Sequence, residues 1–320
     1  MNASSPHSGP QHDRARSAPW RLFGRLTRWR LSLAVAGTAV SGALFQAGAR
    51  SGVALLLAGG GVALLAAAGS AGNQLQERDL DGKMRRTCLR PLPQGQLTPR
   101  QAMAVALGLG GGGLALLLMA GPLPALFGGM ALACYNGVYT PLKRITPLAL
   151  LPGALCGALP PLIGWCAAGG NPADFRILLI ATLIYLWQLP HFWRLADRHA
   201  DDYRRAGLPV LQDCLSPRLT RLARLSWTLA LVAVSLQLPL FGLLRSLPSR
   251  LLLTTAAAVL ALSALWQGAG KPGKGLSSAP AWADLCLVLL LLLLLGERLL
   301  LPVAATSLSD LRPLLSPFVG

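Results

Sequence analysis

Nine hydrophobic runs punctuate the chain, at about residues 31–49, 53–74, 101–120, 123–140, 147–168, 175–193, 224–245, 250–267 and 281–301. Each approaches the roughly 20 apolar residues needed to cross a bilayer as a helix. The polar segments between them are short and rich in Arg and Lys. This pattern predicts an all-α fold, a polytopic membrane bundle of about nine helices. Its domains are a basic, disordered cytoplasmic tail over 1–30, a transmembrane domain over 31–303 and a short C-terminal tail over 304–320.

Composition agrees. The 320 residues are 53% hydrophobic and 13% charged, with a mean hydropathy of +0.52, against roughly 25% charged in a soluble domain. A net charge of +17 invites a nucleic-acid reading, but no basic face with interleaved aromatics accompanies it, so no nucleic-acid partner is expected. The charge instead sorts by membrane side. With the N-terminus inside and nine spans, 23 of the 29 basic residues fall on the inner side and six on the outer. That bias predicts a cytoplasmic N-terminus and an outer C-terminus. No apolar stretch precedes residue 31, which argues against a cleaved secretory signal. The six cysteines form no CxxC pair and mostly sit in apolar runs, as small buried residues do.

Acids are scarce, only 12 in all, yet three of them fall between Glu77 and Asp81. Asn73, Glu77 and Asp81 are spaced four apart. Each step of four turns a helix about 40° past a full circle, so the three share one narrow stripe, while Asp79 points elsewhere. Glu77 and Asp81 are a like-charge pair at i, i+4, unfavourable without a counter-ion. Hard oxygens in this arrangement suit Mg2+, which is held by one or two carboxylates plus phosphate oxygens. A second acidic segment, "LWQLPHFWRLADRHADDYRRAGLPVLQD" (Leu186–Asp213), sits on the same side and carries Asp197, Asp201 and Asp202 below His191. Two such clusters are expected to form a paired Mg2+ site able to clamp a diphosphate. Arg85, Arg86, Arg90, Lys143, Arg144 and Arg204 are the cations placed to contact phosphate oxygens. The glycine runs "GLGGGG" (108–113) and "PGALCGALPPLIG" (152–164) allow either close helix packing or room for a bulky ligand.

Three blocks, "NQLQERDLDGKMRRTCLRPLPQG", "YNGVYTPLKRITP" with "GALPPLIGW", and "WQLPHFWRLADRHADDYRRAGLPVL", resemble the signatures of the protoheme IX farnesyltransferases, within the UbiA superfamily of intramembrane prenyltransferases. The first block is the most specific. The resemblance implies Mg2+-dependent transfer of farnesyl from farnesyl diphosphate to a vinyl group of heme b, giving heme O. It also implies a bacterial inner membrane, an active site open to the cytoplasm, and a downstream heme A synthase or terminal oxidase assembly as partner. By residue, Asn73, Glu77 and Asp81 match the first metal and diphosphate motif, and Asp202 the second. Lys143 and Arg144 match "LKR", and His191 matches the His of "PHF". As heme-iron ligand or proton acceptor, His191 would act on the acceptor side. Where the family shows "NIVIGG", this chain reads "LALLPGA" (Leu148–Ala154), a departure that bears on the acceptor pocket. The alternatives are a prenyltransferase with another aromatic or polycyclic acceptor, and a non-catalytic heme-handling membrane factor. Acids gathered at one face disfavour a transporter.

Overall fold

The computed structural model describes residues 18–46 and 52–269, with Leu294, Gly296 and Glu297. Among these there are helices and turns and no strand. The chain enters through α1 (Pro19–Thr27) and α2 (Trp29–Phe45), then the long α3 (Gly52–Gln76) and a single turn, α4 (Arg78–Asp81). Next come α5 (Pro99–Ala120) and α6 (Pro122–Ala133), which runs through a π-helical turn (Cys134–Tyr139) into α7 (Thr140–Leu142). A 3-10 turn (Pro147–Ala149) leads into α8 (Leu150–Ala167), followed by α9 (Phe175–Arg198). The last elements are α10 (Ala200–Ala206), α11 (Leu211–Cys214), α12 (Pro217–Leu240) and α13 (Leu247–Ala269).

Among the described residues, six helices are long and apolar enough to cross a membrane: α3, α5, α8 with its leading turn, α9, α12 and α13. The first expected span appears as α2, shorter at 17 residues. The fourth appears as α6 with its π-helical continuation. The ninth, 281–301, lies outside the described residues except for three helical positions. One of these, Glu297, accepts hydrogen bonds from the backbone N–H groups of Arg245 and Ser246.

Two boundaries differ from expectation for physical reasons. Residues 19–27 and 29–30, expected in the disordered tail, are helical. Pro19 opens α1, and Leu26 buries against Ala71, Leu92 and Ala102, which gives a short Arg-rich helix a packing partner. The seventh span starts seven residues early, because Ser216 caps the Leu219 N–H and Pro217 takes the first helical position. Its first turns therefore carry Arg218, Arg221 and Arg224, which a hydropathy criterion excludes.

α3 packs against α2 and α5, α8 against α2, α6 and α9, and α12 against α9 and α13. One core, with Trp165, Ile177, Ile180, Leu183, Leu231 and Leu238, joins α8, α9 and α12; a second, with Ala39, Val62, Leu65, Leu117 and Ile163, joins α2, α3, α5 and α8. Glycine sets the closest approach. A β-carbon on Gly164 would stand 1.7 Å from the Ala39 carbonyl oxygen, and one on Gly42 1.9 Å from that of Pro161, so α2 and α8 meet backbone to backbone. The outer surface is apolar, with Leu56, Met119, Leu240 and Trp266 exposed. Lipid, not water, is the solvent for such a face.

Candidate active site

α3 ends at Gln76, and Glu77 sits at the junction with φ −105° and ψ 11°. The spacing of the acidic stripe nevertheless survives the break. Glu77 N–H donates to Asn73 O at 2.9 Å, and Asp81 N–H to Glu77 O at 2.8 Å. These i to i−4 bonds keep Asn73, Glu77 and Asp81 in helical phase, and all three are buried. Asp79 lies on the outside, paired with Arg78.

Each buried acid has a cation. Lys143 Nζ donates to Glu77 Oε2 at 2.6 Å, and stands 2.5 Å from Oε1 without a hydrogen-bonding angle to it. Arg90 Nη1 donates to Asp81 Oδ2 at 2.6 Å. Asn73 Nδ2 donates to Thr140 Oγ1 at 3.2 Å, leaving its carbonyl as the acceptor half of the side chain. Asp81 Oδ1 is buried and accepts no hydrogen bond, which is costly unless a further positive group uses it, while Glu77 Oε1 is held by the charge of the Lys143 ammonium 2.5 Å away.

Asn73, Glu77, Asp81, Arg90 and Lys143 line one cavity of about 430 Å³. At its charged end stand Glu77, Asp81, Arg28, Arg86, Arg90 and Lys143. Its length is walled by apolar side chains of α2, α3, α6, α8 and α9, among them Val62, Leu65, Ile163 and Trp193. Small residues make the room: a β-carbon on Gly153 would stand 2.8 Å from the Tyr139 ring, and one on Gly157 2.0 Å from Gln188 Oε1. The second glycine run thus serves both packing, at Gly164, and cavity, at Gly153 and Gly157. His191 also lines the cavity, its ring stacked on Trp187 at 4.9 Å with Arg194 Nη2 3.3 Å from Nδ1.

The second acidic segment lines the cavity through His191, Trp193 and Tyr203, but its carboxylates Asp197, Asp201 and Asp202 are not among the lining residues and hold protein partners instead of pairing with the first cluster. α9 stops at Arg198, and His199, with φ −116° and ψ 18°, breaks the helical phase between Asp197 and Asp201. Asp197 turns to α12, accepting from Arg224 and, at 2.7 Å, from Gln212 Nε2. Asp201 is at the surface, its side chain 88% exposed against 1% for Asp81. Asp202 is buried but outside the cavity lining. Its carboxylate receives the backbone N–H groups of Arg85 (3.3 Å) and Arg86 (3.2 Å), and pairs with Arg205 at 2.8 Å. Desolvation raises the Asp202 pKa, but those two N–H donors and Arg205 outweigh it and hold the carboxyl below its ordinary value. Among the described residues no group of three His, Cys, Asp or Glu side chains is placed to share a metal. Of the expected cations, Arg86, Arg90 and Lys143 reach the cavity. Arg85 is exposed beside it, Arg144 donates to the Gln76 carbonyl, and Arg204 pairs with Asp213 and Asp201 at the surface.

The UbiA prenyltransferase family model matches residues 34–275. This chain belongs to the UbiA prenyltransferase family. It is an integral membrane prenyltransferase. A curated relative from Nitratidesulfovibrio vulgaris strain DP4, a protoheme IX farnesyltransferase, is 40% identical over 87% of this chain and 96% of its own. Another of that name, from Geobacter sulfurreducens, is 52% identical over 61% of this chain and 69% of its own. Among solved structures, digeranylgeranylglyceryl phosphate synthase superposes with a TM-score of 0.73 at 15% identity, over 87% of this chain and 98% of its own. A UbiA homologue from Archaeoglobus fulgidus bound to GPP and Mg2+ superposes at 0.63 and 16%, with the same coverage. At these identities the superpositions establish the shared fold.

Several cavity residues of this UbiA prenyltransferase escape a sequence reading. Tyr135 and Tyr139, stacked at 5.4 Å, both line the cavity from the π-helical turn. That turn is tied to α3 by Gln76 Nε2 to Asn136 O (3.0 Å) and Asn136 Nδ2 to Gly69 O (3.2 Å). The extra residue of a π turn shifts helical phase, a device common at functional sites. The pair "YNGVY" beside "LKR" was the available signal. Arg28 had none, standing in what read as a disordered tail.

Proposed function

We propose that this prenyltransferase moves a farnesyl group from farnesyl diphosphate to a vinyl carbon of heme b, with water completing the hydroxyethylfarnesyl side chain of heme O. The carrying observation is a single cavity with a cationic and carboxylate mouth and an apolar body. A prenyl diphosphate is built the same way, an anionic head on a long apolar chain. The choice of heme b as acceptor is supported by the names of the relatives.

The donor set fits Mg2+. Asn73, Glu77 and Asp81 would hold it, through hard oxygens that include the buried Asp81 Oδ1, which accepts no hydrogen bond in the structure. When bound, the ion supplies charge neutralisation to the diphosphate. The rest is done by the protein. Arg86, Arg90 and Lys143 line the mouth where the leaving diphosphate gathers charge as the allylic C–O bond breaks. The apolar walls keep the allylic cation from water until the vinyl carbon attacks. Water then adds at the other vinyl carbon and loses a proton. Diphosphate and heme O are the products. We assign His191, which lines the cavity, to the acceptor, as iron ligand or proton acceptor. Asp202 fixes the backbone from which Arg86 projects, a positioning role. We place the mouth on the cytoplasmic side, where the basic residues concentrate, and propose a heme A synthase or terminal oxidase assembly as the consumer of the product.

A second reading is a UbiA enzyme with another aromatic or polycyclic acceptor. It is favoured by "LALLPGA", since Ala149, Leu150 and Gly153 of that segment line the cavity. Incubating the purified protein with farnesyl diphosphate, Mg2+ and either heme b or a panel of quinone and chlorophyll-type acceptors distinguishes the two by mass spectrometry. Product only with heme b supports the first reading. Product only with another acceptor replaces it.

A further inference from the structure

Arg28 joins α1 to α2 on one residue. Its N–H closes the first helix on Gly24 O, and its carbonyl opens the second, accepting from Leu31 N–H at 2.8 Å and Ser32 N–H at 3.1 Å. Making that corner requires the left-handed conformation, φ 49° and ψ 47°. Arg28 is the only non-glycine residue with positive φ among the described residues. Glycine adopts this conformation without steric cost, whereas a β-carbon disfavours it. An arginine at such a corner keeps its side chain for another reason.

That side chain lines the cavity mouth with Arg86, Arg90 and Lys143, so four cations face the two carboxylates of Glu77 and Asp81. Among the described residues no hydrogen bond or ion pair holds the Arg28 guanidinium, while Arg90 and Lys143 each have a carboxylate. Its position is registered to the acidic stripe. Gln74, next to Asn73, donates through Nε2 to the carbonyls of Arg25 (3.0 Å) and Leu26 (2.7 Å). Crowded guanidinium groups facing too few carboxylates are stabilised by a multiply charged anion, and arginine binds phosphate oxygens in bidentate fashion.

We infer that Arg28 is a further diphosphate-binding residue, presented to the substrate by the left-handed corner between α1 and α2. This rests on the mouth being a diphosphate site. The test uses full-length protein and inorganic pyrophosphate as probe, with binding measured by calorimetry in Mg2+. Arg28→Gly relieves the backbone, so it is expected to fold with a Tm at or above wild type and still bind pyrophosphate about tenfold more weakly. Arg28→Lys is expected in between, since it keeps charge but loses the fork. In turnover, the KM for farnesyl diphosphate rises and that for heme b does not. Arg21→Ala, an exposed change on α1, leaves both unchanged. Wild-type affinity in a folded Arg28→Gly overturns the inference, as does a KM effect confined to heme b, which would assign Arg28 to a propionate. Failure of the wild type to bind pyrophosphate overturns the reading of the mouth itself, and the inference with it.

Discussion

The two acidic segments look alike in sequence and are held differently in the structure. Both put carboxylates four residues apart beside a membrane-length helix, with arginines close by. In the first, Glu77 and Asp81 are buried at the cavity wall, and each keeps one oxygen free of hydrogen bonds. In the second, every carboxylate is engaged by protein: Asp197 by Arg224 and Gln212, Asp201 by Arg204, and Asp202 by Arg205 and two backbone N–H groups. We propose that the first segment uses those oxygens to bind Mg2+ and the diphosphate. The second braces α9, α10 and α12 and the loop after α4. Spacing alone does not separate a site from a brace; what the lone pairs already hold does.

The largest effect is expected at the first segment. Glu77→Ala and Asp81→Asn should each lower kcat by about a hundredfold or more, in line with loss of one group that stabilises transition-state charge. Asp81→Asn keeps the shape, so retained folding with lost turnover separates chemistry from packing. Turnover near wild type in either variant would move the site elsewhere.

The next effect belongs to the brace. Asp197→Ala removes a carboxylate partner of the largely buried Arg224 guanidinium and should cost about 3 kcal/mol of stability, read by thermal unfolding in detergent, with KM unchanged. A change in turnover at full stability would show that Asp197 reaches substrate after all.

Asp202 lies between the two regions, and pH sharpens its role. Its folded pKa is depressed, so its contribution to stability is present above the unfolded value. It is lost as pH falls through the lower, folded value. Wild type should therefore exceed Asp202→Asn in Tm at neutral pH, with the gap closing only below about pH 4. A gap independent of pH would contradict the ionised brace. The smallest effect is expected at Asp201, whose exposed pair with Arg204 adds little. Asp201→Ala should match wild type in both Tm and kcat.

Much of this was legible beforehand. Uninterrupted apolar runs announced α3, α5, α9 and α13, and the four-residue step from Asn73 to Asp81 kept its meaning even though α3 ends at Gln76. What escaped depends on tertiary geometry. The phase break at His199 sends Asp201 and Asp202 away from Asp197, and no residue type announces it. Arg28 gains its role only because α1 packs on α3 through Leu26 and Ala71. The π turn at Cys134–Tyr139 re-aims two tyrosines within a run that reads as an ordinary span.

The most direct test of the central claim is a product assay. Purified wild-type protein and Glu77→Ala are each given heme b, farnesyl diphosphate and Mg2+, and the pigments are resolved by mass spectrometry. The account expects hydroxyethylfarnesyl heme from wild type and none above background from the variant. Folded wild-type protein that yields no farnesylated heme, or a variant that yields as much, would contradict it.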